Sequence, residues 1–259
     1  MTRRLTRFAA LLAILAIAVA ACGGKAAGPI LTDPTAIITA ALKSTEAAKS
    51  VHAELTVDGV VPVTLPGGTV STPVDLTGTT ASVDANLANK EARITFSVPG
   101  VLGLAGEVIQ SGGKTYLKTT LTGSKYKVVD AGSALPVDRT DTTGMIDNLG
   151  DFLLKPGVNP VKGDDASCSG GTCYTIVVDL DATELAAIIG TGATNLPVDV
   201  AGASLKMTLR VEQSLPNHLS GVSIEVGLPD GKSLKAELSF SKWDEPVTIT
   251  APPADQVAS

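Results

Sequence analysis

The chain has 259 residues, 44% hydrophobic but only 3% aromatic, with 20 Lys and Arg against 26 Asp and Glu. That acidic balance argues against a nucleic-acid partner, whose phosphates are held by clustered cations, and against a polybasic membrane patch. The length suits one domain or two small ones.

The first 21 residues have the three parts of a secretory signal. Arg3, Arg4 and Arg7 form the positive region, Phe8 to Val19 is apolar and uncharged, and Ala20 and Ala21 are small. Val19-Ala20-Ala21-Cys22 then resembles a lipobox, whose cysteine is acylated and becomes the new N-terminus. An uncleaved anchor is the alternative, but about 12 apolar residues fall short of the ~20 that span a bilayer. Cleavage removes three arginines and no acid, so 17 basic residues face 26 acidic ones. Membrane attachment then rests on the lipid carried by Cys22. Residues 22–32 read as a flexible tether.

Asp33 and Pro34 open the first predicted helix, as N-cap and first helical residue. Ile37, Ile38, Ala41, Leu42, Thr45 and Ala48 form its apolar stripe, and it ends near Ser50. From Val51 the period becomes two. Gly59, Pro62 and Pro66-Gly67-Gly68 predict a break after a short strand. Leu76 to Leu87 alternates again, and Asn89-Lys90 is a turn. Ala92, Ile94, Phe96 and Val98 share one face of the next strand. Leu104–Gln110 and Thr115–Thr119 flank the hairpin turn Ser111-Gly112-Gly113-Lys114. Tyr126 to Val129 is one more short strand.

Met145, Ile146, Leu149, Phe152 and Leu153 return to helical spacing. Val161–Cys168 and Tyr174–Asp181 predict a hairpin, and Ala182–Ile189 a helix capped by Asp181. The last third is a meander: Leu205, Met207, Leu209 and Val211; Val222, Ile224 and Val226; Leu234, Ala236, Leu238 and Phe240. Trp243 and Val247-Thr248-Ile249 read as a short edge, and residues 254–259 as a loose tail. About ten strands joined mostly by hairpins make an antiparallel sheet of the α+β class. So many strands curl or split, and three helices are available to cover one face.

Cys168 and Cys173 remain after the anchor. An even pair in an exported chain predicts a disulfide across the Ser169-Gly170-Gly171-Thr172 turn. Two free thiols are the alternative. A zinc site needs four ligands, and neither His52 nor His218 is nearby, so no metal is expected. Gly113-Lys114-Thr115 lacks the earlier glycine of a phosphate loop, since Val108 stands there. No Gly-x-Ser-x-Gly elbow occurs. Asp164-Asp165 reads as a solvated pair, His52 as a surface or cap residue, and Trp243 as a core or rim aromatic. No catalytic residue, cofactor or enzyme activity is expected.

Four stretches resemble one family of lipoproteins. They are Ser50-Val51-His52 with Leu55-Thr56-Val57-Asp58-Gly59, Ala92-Arg93-Ile94-Thr95-Phe96, Lys114-Thr115-Tyr116-Leu117, and Leu238-Ser239-Phe240-Ser241-Lys242-Trp243 with Pro246-Val247-Thr248-Ile249. In that order, after a lipobox, they resemble the LppX/LprAFG lipoproteins of mycobacteria and other actinobacteria, over residues 33–253. The resemblance implies a strongly curved antiparallel half-barrel, similar to LolA and LolB, with helices on its concave side. It implies an apolar cavity for acylated lipids or glycolipids, such as lipoarabinomannan, phosphatidylinositol mannosides or triacylglycerol. It places Ala92 at a cavity-lining position where valine is typical.

On that basis the candidate lipid-binding residues are Ala92, Ile94, Phe96 and Val98, with Leu205, Met207, Leu209, Val222 and Ile224 from the meander. Ile38, Leu42, Ile146 and Leu149 are candidates to close the cavity. The expected role is lipid binding and transfer at the cell membrane, facing the periplasm or cell wall, with an envelope lipid exporter as a possible partner. A non-enzymatic scaffold or chaperone for envelope lipoproteins is the alternative.

Overall fold

The computed structural model describes residues 28–64, 71–129, 149–184, 202–229 and 231–258. The signal segment, Cys22, Met145, Ile146 and the end of the helix expected to reach Ile189 lie outside them. Helix α1 spans Pro34–Ala47, and Asp33 caps it by accepting the Ala36 N–H at 3.0 Å. It buries Ile37, Ile38 and Ala41, as the three-four spacing requires. A second helical stretch resumes at residues 149–153. The third begins after Asp181, whose side chain accepts the N–H groups of Thr183 and Glu184. Glu184 reaches back to the Asp181 N–H at 3.0 Å. This reciprocal pair is a capping box.

Among the described residues there are thirteen strands, in chain order: β1 Ser50–Thr64, β2 Ser71–Asp75, β3 Thr79–Asn86, β4 Glu91–Val98, β5 Leu104–Ser111, β6 Lys114–Thr119, β7 Lys127–Val129, β8 Val161–Lys162, β9 Ala166–Cys168, β10 Gly171–Leu180, β11 Ser204–Glu212, β12 Leu219–Gly227 and β13 Ser233–Ser241. They form one open, curved sheet in the order β7-β6-β5-β4-β3-β1-β13-β12-β11-β10-β8, with β2 beside β1 and β9 beside β10. Every ladder is antiparallel. Strand β1 lies at the centre. A meander of β3 to β7 runs out on one side, and a meander of β10 to β13 on the other.

Three expectations change. β1 does not break at Gly59. It runs on and exchanges its β3 and β13 partners for β2. Gly59 has φ +133°, and a Cβ there would stand 2.3 Å from the Ser233 carbonyl oxygen, so glycine lets the strand pass. Pro62 pairs with Pro73 where, among the described residues, β1 has only β2 beside it, so its missing N–H costs no second ladder bond there. Val161–Cys168 is two short strands instead of one. Gly163 N–H still donates to the Thr175 carbonyl of β10 at 2.9 Å, and Asp164 and Asp165 lie outside both strands, with Lys162 Nζ held by Asp165 at 2.7 Å.

The C-terminal segment is not a strand at 247–249, nor is it loose from 254. Asn86 Nδ2 donates to the Val247 carbonyl, and Ser111 Oγ to that of Ile249. Tyr126 N–H donates to Gln256 at 2.8 Å, and Ala258 N–H to Tyr126 at 2.7 Å. The segment is a strap across the polar face. It buries Ile249 with Ile109 and Tyr126, beside Tyr116, Val247 and Val257.

The main core lies on the other face. Tyr174, Ile176, Val178 and Leu180 of β10 meet Met207, Leu209 and Val211 of β11, Leu219 and Val222 of β12, and Ile37, Ile38 and Ala41 of α1. Gly150 brings the second helical stretch against α1: a Cβ there would stand 2.8 Å from Leu42 Cδ1. Cys168 and Cys173 are disulfide-bonded at the β9–β10 turn.

Candidate functional site: the apolar face

Side chains alternate along a strand, so cross-strand register decides which residues share a face. One row runs Ile176, Leu209, Val222, Leu238, Leu55, Ala81, Phe96, each the direct partner of the next, from β10 to β4. A second runs Phe240, Ala53, Val83, Ile94, Val108, Leu117, from β13 to β6. The apolar face is therefore continuous across both meanders.

Its cover is not. Ile176, Leu209 and Val222 are 0%, 2% and 7% exposed, beneath α1 and residues 149–153. Further along the same row, Leu238, Leu55, Ala81 and Phe96 are only half-buried. Val83, Ile94 and Leu117 of the second row are half-buried as well. Phe96 is paired with Gly106, which carries no side chain, and its ring reaches over that glycine.

The predicted residues divide along this boundary. Ile38, Met207, Leu209 and Val222 belong to the packed core, with Leu42, Leu149, Leu205 and Ile224 set against its rim. Ala92, Ile94, Phe96 and Val98 share the half-covered part. Ile146 lies outside the described residues. Leu55, Ala81, Val83 and Leu117 join the half-covered part without having been candidates, while Val108 between them is buried. Their signal was the two-residue period of their strands, which marks an apolar face but not its neighbours.

An open depression of about 460 Å³ is lined by Glu54, Leu55, Thr56, Thr80, Ala81, Ser82, Thr95, Phe96 and Ser97. Glu54, Ser82 and Thr95 form one cross-strand row, and Thr56, Thr80 and Ser97 the next but one. Leu55, Ala81 and Phe96 lie between them. Alternation puts both flanking rows on the polar face, so this is a groove of that face floored by backbone. It is distinct from the apolar hollow implied by the resemblance.

Several charged and titratable groups are spent on structure. Glu107 takes Arg93 Nε at 3.1 Å, Lys118 Nζ at 3.8 Å and the Tyr126 hydroxyl. Burial, then the Glu107 hydrogen bond, pushes the Tyr126 phenol above its ordinary value, while Lys118 opposes them. His52 Nδ1 sits 2.7 Å from Asp84 on the polar face. Asp165 is held below the usual carboxylate range by its hydrogen bond from Lys162, helped by Gln213. Trp243 donates its indole N–H to the Leu219 carbonyl at 3.0 Å and stacks on His218 and Phe240. Among the described residues no cluster of His, Cys, Asp and Glu could hold a metal ion, and no helix is long and apolar enough to cross a membrane.

No protein-family model and no curated protein matches the chain by sequence. Solved structures do match it. LprF from Mycobacterium bovis aligns with TM-score 0.53 and 21% identity, over 85% of this chain and 96% of that one. The lipoprotein LppX from Mycobacterium tuberculosis aligns with TM-score 0.50 and 21% identity, over 83% and 97%. A LolA superfamily protein from Nitrosomonas europaea covers 89% of this chain and 99% of its own, but its TM-score of 0.28 and 11% identity carry no argument. The chain thus has the fold of LprF and LppX, members of the lipoprotein group its sequence resembles.

Proposed function

We propose that this chain is an exported lipoprotein, anchored through Cys22, that binds an acylated lipid on its apolar face and carries it through the envelope. One observation carries the reading: a single apolar row is sealed by helices at β10–β12 and only half-covered from β13 to β4. A protein that needed this face only for its own core would cover it throughout. An acyl chain removing about 400 Å² from water gains about 10 kcal/mol at ~25 cal/mol per Å². No catalytic group is required. Small side chains at Ala53, Ala81 and Ala92 leave room that larger residues would fill. The ligand class is a multi-acylated lipid or glycolipid, handed over by an envelope exporter or by the membrane.

The test is mass spectrometry of the purified protein under native conditions. Acyl lipid bound in near-stoichiometric amount supports the proposal. Lipid-free protein that also fails to take acyl lipid from vesicles overturns it.

A further inference from the structure

Two leucines stand out of the sheet at one place. Leu102, in the β4–β5 turn, is 90% exposed, and Leu121, after β6, is 65% exposed. A lone exposed leucine needs no explanation, but these two loops are tied together. Thr120 N–H donates to the Ala105 carbonyl at 2.8 Å, the Thr120 hydroxyl accepts the Ala105 N–H at 3.2 Å, and that hydroxyl donates to the Gly103 carbonyl at 3.4 Å. Each leucine is the chain neighbour of a tied residue. Leu102 also has φ +52°, a conformation costly outside glycine.

The charge pattern says what such a tip fits. No residue from Ile94 to Gly106 is charged, and none from Thr119 to Ser124. From Val108 to Val129 there is no acid, while the lysines are Lys114, Lys118, Lys125 and Lys127. Lys125 and Lys127 are exposed and follow Leu121 closely; Lys114 lies at the opposite end of β6, and Lys118 is engaged by Glu107. In a chain with net charge −6 this is a local reversal. One exposed acid, Asp75, lies beside the base of the Leu102 turn at Gly100; the tips themselves are uncharged, and the lysines that follow Leu121 suit the interface of an anionic bilayer, where leucine enters the acyl boundary and lysine meets headgroups.

We propose that Leu102 and Leu121 form a paired tip that inserts into the surface of an anionic lipid bilayer, with Lys125 and Lys127 on the headgroups. Val98 and Leu104, at the base of the Leu102 turn, belong to the apolar face, so the tip sets the open end of that face against the membrane. The insertion does not require the face to hold lipid, and the cargo measurement can fail while this one succeeds.

The test places an environment-sensitive fluorophore on Leu102→Cys, Leu121→Cys or Asn89→Cys in the full chain reconstituted into vesicles. Asn89 lies in the turn at the other end of β4. The vesicles are phosphatidylcholine, with or without phosphatidylglycerol, doped with bromo-acyl phosphatidylcholine. Emission at 102 and 121 should shift to the blue and be quenched, more strongly with phosphatidylglycerol, while position 89 stays unchanged. In Lys125→Gln/Lys127→Gln the phosphatidylglycerol effect should fall. An equal response at all three positions, or a response at 102 and 121 only when a partner protein is added, overturns the proposal. Leu102→Asn/Leu121→Asn provides a second arm: asparagine tolerates the left-handed backbone, so the fold is kept while transfer of lipid from anionic vesicles slows. Unchanged transfer together with unquenched probes counts equally against the tip.

Discussion

Phe96 lies over Gly106: a Cβ added to the glycine would come within 2.8 Å of the ring's Cζ and 2.5 Å of the Lys118 carbonyl oxygen. The two are direct partners on β4 and β5, at the end of the row that begins in the buried core. The ring is held by the absence of a side chain beneath it, on the half of the face that is not sealed.

Gly106→Ala should therefore destabilise the sheet, because backbone on one side cannot yield as a side chain tip would. A loss of about 1–3 kcal/mol is expected from overpacking, read by urea denaturation. Phe96→Ala should cost less stability than a buried phenylalanine would, yet lower the amount of co-purified lipid.

The boundary between packed and open halves is testable with two truncations. Leu209→Ala removes a side chain from the sealed core and should cost about 2–5 kcal/mol. Ile94→Ala removes a half-buried side chain and should cost clearly less. Equal losses would mean that both halves are sealed alike in solution.

Ala92→Trp fills space on the row shared by Ala85, Ala92 and Gln110. Co-purified lipid should drop, while Ala92→Val, a smaller step, should retain most of it. Mass spectrometry of the three proteins side by side decides this, with thermal melts to check folding.

Tyr126 should make the strap sensitive to alkali. Burial and the bond to Glu107 raise its phenol above 10.0. The folded state thus holds the proton more tightly than the unfolded state, so this contribution is complete below about pH 10 and lost as pH rises through the folded value. Tyr126→Phe should flatten the decline in melting temperature above about pH 10. An identical decline in both proteins would show that Tyr126 does not govern it.

Much of this was legible in the chain. Asp33-Pro34 marked the start of α1, Gly112-Gly113 the β5–β6 turn, and the strict alternation of Leu205 to Val211 and Leu234 to Phe240 the C-terminal meander. These are local signals, set by backbone dihedrals and by the two-residue pleat. The break expected at Gly59 was misread because a glycine that ends a strand and one that lets a neighbouring strand pass look alike in sequence. The strap was missed for a similar reason. Its anchors are Asn86, Ser111 and Tyr126, more than 100 residues away from it in the chain.

The sequence by itself determined which side chains are apolar on each strand and where most strands turn. Only the tertiary structure decided which of those apolar faces are sealed. Met207 and Leu209 alternate as regularly as Ile94 and Phe96, yet α1 covers the first pair and leaves the second half-covered. Periodicity reports that a face must leave water; the packing of distant elements decides what it leaves water for.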